Sequence, residues 1–325
     1  MSFPRYLRLF AHCQLLPALE SSEETLVGGQ AVLEGVMMRA PHSYCVAVRK
    51  PDGRIVTDEQ PLAKLSEKHP LFRYPVLRGV GTLGQAMALG IKALKFSTNA
   101  ALDEGRPEAG KRELSSWVLA LNLAFSLAFF VFLYKFVPLY LVTALGKQLP
   151  SFQNRILFNA TDGVIRIAIF VGFLLLISRW EEMRRVFEYH GAEHRVVFNF
   201  ESGQPVTVAN ARSFSTWHPR CGTSFLLVVM VVSIAVYTLL PFESFILKLV
   251  GRILLLPLIA GLSYEAIRYA SKHQAGLLAR LTAPGLWLQR ITTQPPSDDQ
   301  TEVAVHALEG AMALEESQGG QLVIA

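Results

Sequence analysis

The sequence predicts a mainly α, polytopic helical membrane protein of about four spans, with a small mixed α/β cytoplasmic region at its N-terminal side. Composition is the first observation: of 325 residues, 51% are hydrophobic and 18% charged, against about 25% charged in an average soluble domain. Four apolar segments, each near the length that crosses a bilayer, are the second. Uneven placement of Lys and Arg around those segments is the third. The net charge of +5 is spread along the chain instead of forming a stripe, which argues against a nucleic-acid partner. Cys13, Cys45 and Cys221 are odd in number and scattered, so they form no disulfide framework and fit a reducing compartment.

The expected spans are 117–134 (continuing toward 145), 156–177, 223–240 and 245–264. The third holds no charge; Lys248 and Arg252 sit in the first third of the fourth, where they can snorkel. Arg106, Lys111 and Arg112 precede span one, Arg179, Arg184, Arg185, Arg195, Arg212 and Arg220 separate spans two and three, and Arg268, Lys272 and Arg280 follow span four. The opposite side has only Lys147, Arg155, Lys248 and Arg252. By the positive-inside rule both termini and the middle loop are expected in the cytoplasm. The first twenty residues lack a long apolar stretch and do not read as a cleaved signal peptide. The chain therefore divides into an N-terminal tail (1–24), a cytoplasmic region (25–115), spans one and two (116–177), a cytoplasmic loop (178–222), spans three and four (223–265), and a cytoplasmic C-terminal helix and tail (266–325).

Within the N-terminal region, Tyr44–Val48 and Arg54–Thr57 flank Lys50-Pro51-Asp52-Gly53, the signature of a hairpin turn. Gly79-Val80-Gly81-Thr82-Leu83-Gly84 is a literal GxGxxG, with Asp103 about twenty residues on. No second parallel strand follows, so Tyr74–Phe96 reads as a membrane-associated or re-entrant helix packed through small residues. Gln30 and Glu34 stand out in the apolar run 28–39, either lining a site or closing a helix cap. Asp162 and Arg166 lie four apart in span two, as an internal pair or an ion path. A short helix is expected at Glu302–Leu314, with Asp298 or Asp299 near its start.

The middle loop carries the chemistry. Trp180, Met183, Phe187, His190, His194 and Val197 recur at helical spacing and share one face. His190-Gly191-Ala192-Glu193-His194 is an H-x-x-E-H, in which two histidines one helical turn apart aim at one ion and the glutamate reaches a water beside it. His218-Pro219-Arg220-Cys221 adds an H-x-x-C on one tight turn, and Glu265 supplies a carboxylate at the end of span four. The candidate ligands are thus His190, His194, His218, Cys221 and Glu265, with zinc the expected divalent metal. Three ligands leave a position open for catalysis, whereas His₃Cys closes a structural site.

The segments GGQAVLEGVMMR (28–39), YHGAEHR (189–195), HPRCGTSF (218–225), LIAGLSYE (258–265) and PGLWLQRITT (284–293) together resemble the YqhQ-like family of uncharacterised bacterial integral membrane proteins, described as predicted metal-dependent enzymes. The resemblance covers about residues 25–308. It implies a multi-span protein of the bacterial inner membrane, with metal residues at His190, Glu193, His194, His218 and Cys221.

The leading expectation is a zinc-dependent hydrolase at the cytoplasmic membrane face. His190 and His194 bind the metal with His218, Cys221 or Glu265 as third ligand, Glu193 is the general base, and Arg195 or Arg220 holds an anionic group. Its substrate is a peptide or a lipid-linked ester. The rival is a non-enzymatic, metal-stabilised membrane scaffold or assembly factor. The lipid bilayer, and membrane proteins or peptides, are the expected partners.

Overall fold

The computed structural model describes residues 27–63, 69–102, 116–218, 221–272 and 277–317. The N-terminal tail with Cys13, and Asp103, Arg106, Lys111, Arg112, Pro219 and Arg220 of the sequence reading, lie outside them.

Four antiparallel strands in sequential order form one sheet: β1 (Gly28–Val32), β2 (Gly35–Arg39), β3 (Ser43–Arg49) and β4 (Ile55–Pro61). The expected hairpin is β3–β4, whose turn uses Gly53 at φ 86, a conformation open to glycine. Residues 28–39 form a second hairpin, β1–β2, so Gln30 and Glu34 close no helix. Glu34 turns the chain at φ 52, and its carboxylate forks Arg185 at 2.6 and 2.5 Å.

One sheet face packs Met37, Val46 and Val48 against Leu89 and Ala93 of α1 (Leu77–Leu102). The opposite face packs Val36, Met38 and Cys45 against two further helices, α5 (Glu181–Glu201) and α11 (Asp298–Ser317). The GxGxxG lies wholly inside α1; a Cβ on Gly79 would stand 2.7 Å from that of Tyr264. The glycine therefore serves close helix packing, not a phosphate turn.

The intervening apolar helices are α2 (Ser116–Val131), a π-helical turn (Phe132–Phe136), α3 (Val137–Gln148) and α4 (Arg155–Ile177), capped by the Asn154 side chain. After α5 come a short α6 (Val208–Ala211), α7 (Gly222–Thr238), α8 (Phe245–Leu254), α9 (Leu256–Lys272) and α10 (Leu277–Thr292). Two helices, Ala120–Gln148 and Arg155–Ile177, are long and apolar enough to cross a membrane. Trp117, Leu121, Phe125 and Leu127 of α2 are all strongly exposed, an apolar surface that water does not favour. α8 and α9 make a third candidate if their pair, bent by 51°, is one span. Pro257 in the first turn of α9 removes the backbone donor that would have continued α8. The segment expected as span three is a 17-residue helix, α7, so two to three candidate spans stand where about four were expected.

Candidate metal centre

The periodicity of the middle loop becomes α5, with Glu181 and Glu182 in its first turn, where acidic side chains complement the helix dipole. His190 and His194 lie one turn apart with their rings edge to face, centroids separated by 4.4 Å. Their Nδ1 atoms lie 2.7 Å from the Thr292 carbonyl and 2.5 Å from the Thr216 carbonyl, respectively. A carbonyl can only accept, so each Nδ1 donates and each Nε2 keeps its lone pair for another partner. Such an outer carbonyl is the usual orienter of a metal-binding imidazole.

Cys221 is the residue immediately ahead of α7, and its Sγ lies 3.3 Å from His190 Nε2 and 3.3 Å from Thr223 Oγ1. One ligand atom from each of His190, His194 and Cys221 falls within 4.8 Å of the others. Zn–N and Zn–S bonds at a tetrahedral angle place N and S about 3.5 Å apart, so the donor set fits an ion of that size. Glu193 is buried, its Oε2 4.0 Å from His190 Nε2, and it makes no hydrogen bond within the described residues.

Two glycines shape the surroundings. A Cβ on Gly29 would stand 2.7 Å from Glu193 Cγ, so β1 crosses directly beside the carboxylate. At Gly191 a Cβ would meet the Gln294 carbonyl at 2.1 Å, so only glycine lets residues 292–294 run against α5. Gln294 N–H donates to the Phe187 carbonyl there, at 2.9 Å, which brings the Thr292 carbonyl to His190.

The other expected ligands are placed differently. His218 Nε2 faces Glu201 at 3.4 Å, and its ring packs on Phe198 and His194 at 4.3 and 5.6 Å. Gln289 of α10 clamps its backbone, accepting from His218 N–H at 2.8 Å and donating to its carbonyl at 2.7 Å. Burial pushes the His218 imidazole down to about 4, against the opposing pull of the Glu193 charge. Glu265 turns toward the start of α1, accepting from Arg78 at 2.7 and 2.5 Å and from Val76 N–H at 3.1 Å. Neither His218 nor Glu265 belongs to the three-atom group. Arg195 follows His194 in sequence, and its buried Nε has no partner within the described residues.

Sequence reasoning missed the Thr216 and Thr292 carbonyls, Gln289, Gly29 and Gly191. Gly191 left a signal, as the small residue inside the H-x-x-E-H; the carbonyls left none, because every residue offers one.

A helical chain with two to three apolar candidate spans, a small antiparallel sheet and a His–His–Cys cluster beside a buried glutamate is thus the class that fold and site define. The chain belongs to the family described as "Protein of unknown function (DUF1385)", whose model matches residues 74–314. It is also similar to "Uncharacterized protein YqhQ" of Bacillus subtilis (strain 168), 34% identical over 297 residues that cover 89% of this chain and 92% of the relative. The resemblance read from five motifs therefore extends over most of the chain. No solved structure matches it.

Proposed function

We infer that this chain is a zinc-dependent hydrolase of the bacterial inner membrane, with both termini and the metal centre on the cytoplasmic side. The observation that carries the reading is the three-donor group of His190, His194 and Cys221 with Glu193 beside it, 4.0 Å from His190 Nε2. Three donors leave a tetrahedral ion one free position, the pattern of catalytic rather than structural zinc. His218 and Glu265 are occupied elsewhere, which argues against a closed fourth ligand and so against the metal-stabilised scaffold.

Zinc held there supplies Lewis-acid polarisation of a substrate carbonyl. The protein's own residues do the rest. Thr292 and Thr216 fix the two imidazoles through Nδ1, so their Nε2 atoms need no reorganisation. Glu193, with no hydrogen bond among the described residues and largely screened from water, takes the proton of the attacking water and returns it to the leaving group. Gly29, with no side chain, lets β1 pass directly beside Glu193. The membrane location rests on the two long apolar helices, and the orientation on the Lys and Arg asymmetry.

The test is elemental analysis of detergent-purified protein beside the Glu193→Gln variant. About one zinc per chain in both, with turnover lost only in Glu193→Gln, is the expected outcome. Absence of zinc in wild-type protein purified without chelator overturns the reading, and retained turnover removes Glu193 as the base.

A further inference from the structure

The sheet has two edges, and the sequence treats them differently. β4 carries Asp58, Glu59 and Pro61, the charges and missing donor that keep strand edges from pairing. β1 reads Gly28-Gly29-Gln30-Ala31-Val32, with neither charge nor proline, and its first three residues are exposed.

The register says which groups that edge offers. Arg49 N–H donates to the Glu34 carbonyl at 2.9 Å, so the β2–β3 bonds fall on Val36 and Met38 by alternation. The β1–β2 bonds then fall on Gly28, Gln30 and Val32, and the N–H and C=O of Gly29 and Ala31 point outward. Within the described residues neither finds a backbone partner beyond the edge. Gly29 is also the strand residue that abuts the candidate centre, 2.7 Å from Glu193 Cγ at its Cβ position. Its lack of a side chain is accounted for within the fold, since a Cβ would also meet the Met37 carbonyl at 2.7 Å and Met38 Sδ at 2.9 Å.

The geometry points to an extended peptide segment, added as a strand along the open edge of β1, as the substrate of the centre. This deepens the hydrolase reading and rests on it. Strand addition needs a partner that presents alternating N–H and C=O groups. A peptide does so and a lipid-linked ester does not, so Gly29 and Ala31 select between the two substrate classes. Seated there, the peptide lies alongside Glu193. The amide C–N bond breaks as the water oxygen bonds to the carbonyl carbon. Glu193 carries the water's proton to the leaving nitrogen.

Binding and turnover are separable in the test. The uncleaving Glu193→Gln protein is presented with an array of short mixed-sequence peptides, each made with normal amides and again with alternate amides N-methylated. Peptides that bind are expected to lose about tenfold in affinity on N-methylation, the worth of one or two backbone hydrogen bonds. A similar loss is expected with Ala31→Pro, which removes an outward donor and no sheet bond. Unchanged zinc content and unfolding midpoint show that Ala31→Pro has kept the fold; if it has not, the N-methylated peptides carry the test alone. Binding of no peptide, or equal binding of both peptide forms, overturns the proposal. Edge-dependent binding without cleavage by wild-type protein keeps the peptide site and sinks the hydrolase reading. Peptide cleavage indifferent to N-methylation away from the cleaved bond does the reverse.

Discussion

Cys221 Sγ and His190 Nε2 stand 3.3 Å apart, although 31 residues separate them in the chain. The contact ties the start of α7 to the middle of α5, and it makes Cys221 the thiol whose chemistry reports on the centre. Cys45 is the natural control: burial, then the charges of Glu59 and Asp58, push its thiol up to about 12, so it stays unreactive at neutral pH. In a Cys13→Ser background, iodoacetamide is expected to label Cys221 alone in chelator-treated native protein. Added zinc should slow that labelling at least about tenfold, and His190→Ala should abolish the protection. A wild-type rate indifferent to zinc would remove the metal from Cys221.

Gly191 is predicted to matter through a carbonyl. Alanine there collides with the Gln294 oxygen and forces residues 292–294 away from α5, taking the Thr292 carbonyl from His190. Loss of such an orienting bond costs about 10–100-fold in metal affinity. Gly172→Ala, with nothing within 4 Å of the new methyl, is the control. Competitive zinc titration of the two variants should show the loss at residue 191 alone; equal affinities would mean that Thr292 does not orient the ring.

What the sequence made legible follows from which signals are local. The H-x-x-E-H places two rings on one face of a helix by spacing alone; the periodic stretch is α5, and the short helix expected at Glu302–Leu314 is the longer α11, which begins at Asp298. The β1–β2 hairpin was hidden because its turn is Leu33-Glu34, with Glu34 at φ 52, where Gly or Asn would have announced it. Cys221 N–H does reach the His218 carbonyl at 3.3 Å, but spacing does not say which side chains face the histidines. Gln289, 71 residues away, holds His218 by its backbone, and its ring nitrogen faces Glu201. Span four read as continuous because composition does not register the bend ahead of Pro257.

Glu315 on α11 predicts how the sheet responds to acid. Its carboxylate accepts from His42 N–H at 2.9 Å and from Ser43 Oγ at 2.8 Å, and lies 2.9 Å from His42 Nδ1. Burial works to raise its pKa, but the hydrogen bonds from His42 and Ser43 outweigh it and hold the group below its usual value of 4.5. A carboxyl depressed in the folded state stabilises at pH above the unfolded value, and that stability is lost as pH falls through the folded value. Wild type should therefore unfold more easily as pH drops from about 5, while Glu315→Gln starts less stable at neutral pH and changes less. Parallel curves for the two proteins would rule out Glu315 as a source of the acid response.

Asp162 predicts the largest single effect outside the centre. Buried among the apolar helices, it accepts from Arg252 at 2.6 Å and from Arg166, while Lys135 donates to Tyr237 Oη at 2.9 Å. All three cations lie within 5.3 Å of the Tyr237 ring centroid. Asp162 is the carboxylate that pairs with the two arginines among the described residues, so positive charge exceeds negative in the cluster, since arginine stays protonated. Asp162→Asn leaves two buried guanidinium groups without a counter-charge, a change that costs about 3–5 kcal/mol. Lys135→Met removes a like charge while keeping most of the volume, and is expected to be neutral or stabilising. Thermal unfolding of the detergent-solubilised variants decides: a fall of many degrees for Asp162→Asn and none for Lys135→Met supports charge compensation. If Lys135→Met proves as damaging as Asp162→Asn, the cluster is held by its hydrogen bonds, from Lys135 to Tyr237 Oη and from Arg166 to Ser233 Oγ at 2.6 Å, rather than by its charge balance.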